Sequence, residues 1–227
     1  MDNLTLNYGL IFLALLITTI SQITVSSSYK KYKQKLNSKD LTGYDVARTI
    51  LDKNGLNDIM ILETKGNLTD HYDPKRKTVK LSTDIYHGSS IASIAVAAHE
   101  CGHAIQDKNK YLPMRIRSTL VPIVNLCTKI GYFSIIIGTI FSYFLIEIGI
   151  ILLLSMLVFQ IITLPVEFNA SKRALNELEK LKLINNEEKK QTKKMLSSAA
   201  FTYIASLLST MIEILRYILI FTGRRDD

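Results

Sequence analysis

The longest apolar stretch of the chain, residues 130–166, reads IGYFSIIIGTIFSYFLIEIGIILLLSMLVFQIITLPV, and Glu147 is its one charged residue. A single helix of this length would extend about 55 Å at 1.5 Å per residue, nearly twice the thickness of a bilayer's hydrocarbon core. The stretch therefore predicts two membrane-spanning helices that fold back on each other. Because Glu147 lies close to Gly149 near the middle, we expect the turn there, on the outer side of the membrane.

Basic residues indicate the orientation of these helices. An apolar segment, Leu4–Val25, has about the length that crosses a bilayer, and a group of lysines follows it. Basic residues also stand before and after the hairpin, and the positive-inside rule puts all of them in the cytosol. They are Lys30, Lys31, Lys33, Lys35, Lys39, Arg115, Arg117, Lys129, Lys172, Arg173, Lys180 and Lys182. The net charge of +8 thus indicates membrane orientation and not a nucleic-acid partner.

An apolar segment lies near each end of the chain. The N-terminus lacks the basic region of a signal peptide, so we expect the first segment to be retained as an anchor. Ala199–Thr222 is apolar again but carries Glu213 and Arg216, three residues apart. This last helix is predicted either to span the membrane or to lie at its surface.

The segment between the anchor and the hairpin has the pattern of a soluble region. Thr42–Asn54 predicts an amphipathic helix with Thr42 as its N-cap. Asp58–Thr64 and Lys77–Ser82 predict a small two-stranded element, whose Thr78–Ser82 strand would either pair with an extended peptide or be purely structural. Ser89 or Ser90 is expected to cap a further helix that runs to about Gln106.

That last helix carries the chemistry, because residues 97–106 read AAHECGHAIQ and contain His-Glu-x-x-His. His99 and His103 are four residues apart, so both imidazoles project from one helix face and can chelate one Zn²⁺. Glu100 flanks that face and can reach a water molecule activated by the metal. Cys101 lies about 200° around the helix from His99 and should point away. The alternative is a helix whose histidines only satisfy hydrogen bonds.

Zinc needs a third protein ligand from elsewhere in the fold. Residues 164–171 read LPVEFNAS and place Glu167 where the hairpin returns to the side of the histidines. Ser171 follows four residues later on the same helix face, where it can hydrogen-bond a ligand. The alternative for Glu167 is a carboxylate at the membrane interface that pairs with Lys or Arg.

Several stretches together resemble the YugP-like neutral zinc metallopeptidases of bacterial membranes. They are Leu68–Pro74, Val96–Gln106, Leu164–Ala174 and Gly223–Arg225, and the likeness extends over nearly the whole chain. The order of His-Glu-x-x-His, apolar hairpin and glutamate is more distantly similar to the HtpX-like and prenyl-protease-like membrane metallopeptidases. That resemblance implies that Glu167 is the third ligand. Those relatives commonly have an aspartate four residues after it, where this chain has Ser171.

The residues and the resemblance together predict a zinc-dependent peptidase with one Zn²⁺ per chain and Glu100 as general base. An additional donor usually stabilises the oxyanion. The polar residues available for it are His71, Tyr72, His87 and Arg173, although for each of them a role as a turn or surface residue is favoured over a role in catalysis.

Three other functions stay open. An intramembrane protease of the site-2 type also carries His-Glu-x-x-His, but within a spanning helix, whereas polar segments flank this one. A non-catalytic, zinc-stabilised scaffold or adaptor would retain the site as a structural element. A hydrolase of non-peptide amides would use the same residues.

We therefore predict a mainly α-helical membrane protein with a small β element, in which a zincin-like helix packs near a transmembrane hairpin. Its predicted parts are an anchor (1–28), a cytosol-facing catalytic region (29–118), the hairpin (119–166), a third-ligand and charged segment (167–198), and a C-terminal apolar helix with a basic tail (199–227). It is expected in the cell membrane as a multi-pass protein with a cytosolic site. Expected partners are the lipid bilayer and a protein or peptide substrate, including membrane proteins, and no nucleic acid.

Overall fold

The computed structural model describes residues 3–223. Its elements follow the order α1 (Asn3–Lys33), α2 (Gly43–Lys53), β1 (Met60–Thr64), β2 (His71–Asp73), β3 (Thr78–Ser82), α3 (Thr83–Tyr86), α4 (Ile91–Lys108), α5 (Leu112–Phe141), α6 (Tyr143–Lys180) and α7 (Asn186–Gly223). Arg224 and Arg225 of the predicted basic tail lie outside the described residues.

The chain divides into two compact units, and several long helices contribute to both. The first unit holds the described residues of Met1–Ile23, Arg115–Pro165 and Phe201–Asp227, and the second holds Thr24–Met114 and Val166–Ala200. The His-Glu-x-x-His segment and Glu167 both belong to the second unit. The first unit consists of the most apolar parts of α1, α5, α6 and α7.

The second unit contains a three-stranded sheet in the order β1-β3-β2. β3 pairs parallel with β1 and antiparallel with β2, so it is the central strand. The prediction of two strands was incomplete, because β2 has only three residues and no apolar alternation that would mark it in the sequence. β1 pairs with β3 from Thr78 to Ser82 and β2 pairs with it from Thr78 to Lys80, which favours the structural interpretation of Thr78–Ser82 over pairing with a peptide.

Two helices of the second unit begin as their capping residues predict. The Thr42 hydroxyl accepts a hydrogen bond from the Asp45 backbone N–H, and the Asp45 carboxylate accepts one from the Thr42 N–H, which completes a capping box. Ser90 accepts from the Ser93 N–H and caps α4. The buried face of α2, including Val46 and Ile50, packs in the core with α4.

α4 and the later part of α6 approach each other at Gly102. A Cβ added at Gly102 would lie 2.5 Å from the Ala170 carbonyl oxygen, which is far inside van der Waals contact. Only glycine permits this separation, because any side chain would collide with the backbone of the other helix. The glycine between the two histidines therefore has a packing role that brings α4 close to α6.

In the first unit the predicted turn at Glu147 and Gly149 was wrong. α5 ends at Phe141 and α6 begins at Tyr143, and the Ser142 hydroxyl accepts a hydrogen bond from the Phe144 N–H in the manner of an N-cap. Gly149 lies inside α6, where an added Cβ would be 2.7 Å from the Gly131 carbonyl oxygen of α5. Gly149 thus serves the close crossing of two helices and not a turn.

Four helices are long and apolar enough to cross a membrane among the described residues. The candidate spans are Thr5–Lys33, Leu112–Phe141, Tyr143–Lys180 and Asn186–Ile220. Large apolar side chains on them are exposed, as for Phe12 and Ile140, and their burial in lipid would remove this apolar surface from water. The charged stretch after Asn185 is the beginning of α7, which continues without a break into the apolar segment.

Substitution of Gly102 by alanine tests the close approach. We expect Gly102→Ala to lower the stability of the protein by about 1–3 kcal/mol, because the added methyl group must push α4 away from Ala170. The measurement is thermal unfolding of the protein in detergent. Gly9→Ala in α1 is the control, since nothing lies within 4 Å of its added Cβ. An unchanged Tm for Gly102→Ala would contradict this packing.

Candidate metal centre

Three side chains from α4 and α6 converge on one point in the second unit. One ligand atom each of His99, His103 and Glu167 lies within 4.8 Å of the other two. The Nε2 atoms of His99 and His103 lie 3.2 and 3.5 Å from the same Glu167 carboxylate oxygen, Oε2. Glu167 is almost fully buried at 2% exposure, whereas His99 is partly open. The cluster is therefore largely buried, with His99 as its most exposed member.

A hydrogen bond to Gln106 sets the protonation of the His103 ring. The Gln106 Nε2 donates to the Val166 carbonyl oxygen at 2.8 Å, and a backbone carbonyl can only accept. The amide oxygen of Gln106 must therefore face His103 Nδ1, 3.0 Å away, so that Nδ1 carries the proton. In the neutral ring the lone pair then lies on Nε2, the atom that points to Glu167.

Gln106 is held in turn by residues of α6. Its Nε2 also donates to the Asn169 Oδ1 at 3.0 Å, and the Arg173 Nε donates to the same oxygen at 2.7 Å. Gln106 itself is completely buried. A polar chain thus runs from Arg173 through Asn169 and Gln106 to His103, and it locks the imidazole in one orientation.

The other histidine is held by Ser171. The Ser171 hydroxyl lies 3.2 Å from His99 Nδ1, and it can accept the proton of that nitrogen. This leaves the Nε2 of His99 directed at Glu167, as in His103. Ser171, which was predicted to hydrogen-bond a ligand, thus lies within hydrogen-bond distance of His99, one of the predicted ligands.

Glu100 is buried next to the three converging side chains. The pKa of the Glu100 carboxyl is raised to about 7, chiefly by burial; the nearby His99 lowers this pKa, and the negative charge of Glu167 raises it. The Tyr72 backbone N–H donates to the carboxylate and favours its charged form. Since Tyr72 belongs to β2, the short strand that the sequence did not reveal, this edge of the sheet borders the centre.

The remaining predicted candidates have other partners. Tyr72 directs its hydroxyl to Asp107 at 2.7 Å, and burial raises its pKa. The exposed His71 and His87 contact the Thr69 carbonyl and Glu63, respectively. Cys101 is buried on the opposite face, with its Sγ 3.6 Å from the Ala47 carbonyl oxygen, and burial raises its pKa.

Gln106 and Asn169 belong to the centre, although sequence reasoning did not single them out. Gln106 lies three residues after His103, and residues at this spacing share a helix face. Asn169 lies two residues after Glu167, where no helical spacing relates them. The spacing could therefore have revealed Gln106, whereas Asn169 is recognisable only from the contact between α4 and α6.

The converging atoms fit a zinc ion. Two imidazole nitrogens and one carboxylate oxygen are a donor set that zinc takes in catalytic sites, where a fourth position stays open for water or substrate. Both histidines have their Nδ1 atoms engaged by hydrogen bonds, as metal-binding histidines almost always do. His99, His103 and Glu167 are thus the residues that could hold the metal.

Comparisons with known proteins agree with this geometry. The family described as "Putative neutral zinc metallopeptidase" matches residues 7–222. The chain is 42% identical over 208 residues to "Putative membrane protease YugP" of Bacillus subtilis (strain 168), with 91% of this chain and 92% of that protein aligned. No solved structure matches the chain. The chain belongs to this zinc metallopeptidase family, which confirms the resemblance noted in its sequence.

The predicted fold class is also confirmed. The protein is mainly helical, with a small sheet, four helices apolar enough to span a membrane, and a His-Glu-x-x-His helix beside Glu167 of α6.

Gln106 offers a test of the hydrogen-bond chain. We expect Gln106→Met, which keeps the side-chain volume but removes the acceptor for His103, to weaken zinc binding about 10–100-fold. The measurement is competition for zinc with a chelator, alongside circular dichroism to verify the fold. Gln34→Met, at an exposed position, should leave the affinity unchanged. Equal zinc affinity in Gln106→Met and the unsubstituted protein would rule out the proposed orienting contact.

Proposed function

We propose that this protein is a membrane-bound, zinc-dependent peptidase with His99, His103 and Glu167 as metal ligands and Glu100 as general base. The observation that carries the proposal is the convergence of three ligand atoms within 4.8 Å beside a buried glutamate. Membership of the zinc metallopeptidase family supports it.

Each residue has a defined task in peptide hydrolysis. A bound zinc ion would supply Lewis acidity, which activates water and polarises the substrate carbonyl. Glu100 accepts the proton of the attacking water on its carboxylate and delivers it to the departing amine nitrogen. Gln106 and Ser171 keep the imidazole Nε2 atoms available by holding the Nδ1 protons.

The number of ligands favours catalysis over a zinc-stabilised scaffold. Structural zinc sites usually fill all four positions with protein side chains. Among the described residues, the cluster contains three. A buried glutamate next to such a cluster is required for water activation and would have no corresponding task in a scaffold.

The location of α4 weighs against an intramembrane protease of the site-2 type. In such an enzyme the His-Glu-x-x-His helix itself crosses the membrane. Here α4 (Ile91–Lys108) is absent from the four candidate spans, and it belongs to the unit that contains the sheet.

Two substitutions separate metal binding from proton transfer. We expect Glu100→Gln to retain one zinc per chain but to lose casein cleavage by about 10²–10⁴-fold, because only the general base is removed. Glu167→Ala should lose the metal as well as the activity. The measurements are zinc content and casein cleavage of the detergent-purified protein.

Glu179→Gln, at an exposed position of the same helix α6, is the matched control and should retain both zinc and activity. Zinc bound equally well by Glu167→Ala would exclude Glu167 as a ligand. Full cleavage by Glu100→Gln would exclude its role as general base.

The site is proposed to face the cytosol and to act on membrane proteins during their processing or quality control. Basic residues such as Lys30, Lys129 and Lys172 flank the apolar segments, and the positive-inside rule assigns these flanks to the cytosol. Glu167 directly follows the apolar stretch 130–166 on α6, a helix with a candidate membrane span, and this position would keep the site near the bilayer surface. No nucleic acid is expected as a partner.

Comparison of the proteomes of cells that carry the unsubstituted protein or Glu100→Gln tests this substrate class. We expect membrane proteins cut in cytosol-facing segments to accumulate uncut in the Glu100→Gln cells. A substrate set that consists of soluble cytosolic peptides would refute the membrane role. Cuts confined to external segments would refute the cytosolic orientation.

A further inference from the structure

A cavity of about 420 Å³ lies in the first unit; its lining contains none of the three converging residues, and its lining residue Thr163 lies one helical turn before Glu167 on α6. It is walled by α5, α6 and α7 and has the volume of a small-molecule site. The apolar part of its lining includes Val124, Met156 and Phe159. Its polar side chains are Arg117, Asn125, Thr128, Lys129, Gln160, Thr163, Tyr203 and Ser206. A lining of this kind matches a ligand with both polar and apolar parts.

The charge of the lining selects an anion. Arg117 and Lys129 contribute two positive charges, and the described lining contains no acidic residue. Arg117 brings a planar donor group suited to phosphate oxygens, and Lys129 brings a compact ammonium group. Hydroxyl and amide groups of the lining can hydrogen-bond the remaining oxygens of such a ligand.

The position of the two basic residues indicates where the ligand comes from. Lys129 precedes the end of α5, at Phe141, by about 18 Å along the helix, and Arg117 precedes it by about 36 Å. With a hydrocarbon core of about 30 Å, Arg117 lies at the depth of lipid headgroups on the cytosolic side. Lys129 lies deeper, where its long side chain can extend back toward the headgroups.

The cavity also opens toward lipid. Asn125 and Lys129 line it and are exposed, although they belong to an apolar helix that is a candidate membrane span. A polar residue and a cation on a lipid-facing surface are costly unless they meet a polar partner. A molecule that enters from the bilayer can supply one, whereas a free aqueous ion cannot easily reach this depth.

We propose that this cavity binds the headgroup of an anionic phospholipid. Arg117 and Lys129 face its phosphate group, and the apolar wall of Val124, Met156 and Phe159 contacts the adjoining part of its chains. Basic pockets between transmembrane helices on the cytoplasmic side bind anionic headgroups in this way. The site would make the protein selective for the anionic lipids of its membrane, independently of the peptidase function proposed above.

Native mass spectrometry of the full-length protein in detergent tests this site, with phosphatidylglycerol as the probe. We expect one phosphatidylglycerol to bind the unsubstituted protein, with phosphatidylcholine bound at least tenfold more weakly. Lys129→Gln should weaken phosphatidylglycerol binding about fivefold and Arg117→Gln/Lys129→Gln about 25-fold, since each removed charge contributes about a factor of five. Arg115→Gln, an exposed residue of the same helix outside the cavity, should change it less than twofold.

Four outcomes would overturn the proposal. If Arg115→Gln lost as much phosphatidylglycerol binding as Lys129→Gln, diffuse surface charge would be what attracts the lipid. Equal binding of phosphatidylcholine would mean that the headgroup charge is not recognised, and displacement of the lipid by inorganic phosphate would mean that the site takes free phosphate. Unchanged phosphatidylglycerol binding by Lys129→Gln would also refute the proposal. This variant alters an exposed side chain, so its result stays informative if the double variant does not fold.

Discussion

The contact between Gly102 and the Ala170 backbone is the constraint on which the metal centre depends. His99 and His103 lie on α4, and Glu167 lies on α6, more than sixty residues later in the chain. Helix axes usually stay 8–10 Å apart because side chains separate them. A glycine at the crossing removes one side chain, so that imidazole and carboxylate groups meet within a few ångströms. Gly102, which lies between the two histidines in the motif, therefore also permits Glu167 to reach them.

Hydrogen bonds that can run in only one direction then fix the orientation and protonation of the His103 imidazole. The Val166 carbonyl can only accept, which orients the Gln106 amide, and the amide oxygen in turn assigns the proton of His103 to Nδ1. This sequence of contacts uses α6 twice, once for Glu167 and once for the groups that orient Gln106. The same contacts join α4 to this part of α6 and orient the side chains of the cluster. The helix interface and the oriented side chains therefore form together.

In the first unit, too, glycines let helices approach closely. Gly131 and Gly149 let α5 and α6 cross closely, as small residues commonly do in membrane helices. Further along, α5, α6 and α7 separate around the polar cavity that contains Arg117 and Lys129. Lys129 lies within the apolar span of α5, where a cation is costly in lipid unless it meets a polar partner.

Local pattern alone determined the apolar helices, the capped starts of α2 and α4, and the His-Glu-x-x-His face, because each depends on spacing within a few residues. It also placed Glu167 and Ser171 on one helix face, at the end of the hairpin that returns to the side of the histidines. It misplaced the hairpin turn at Gly149 and missed β2, since a glycine is equally suited to a turn or a helix crossing and three residues carry no periodicity. Only the tertiary structure decided that Gln106, Asn169 and the Tyr72 backbone surround the centre, because their roles arise from contacts between distant segments.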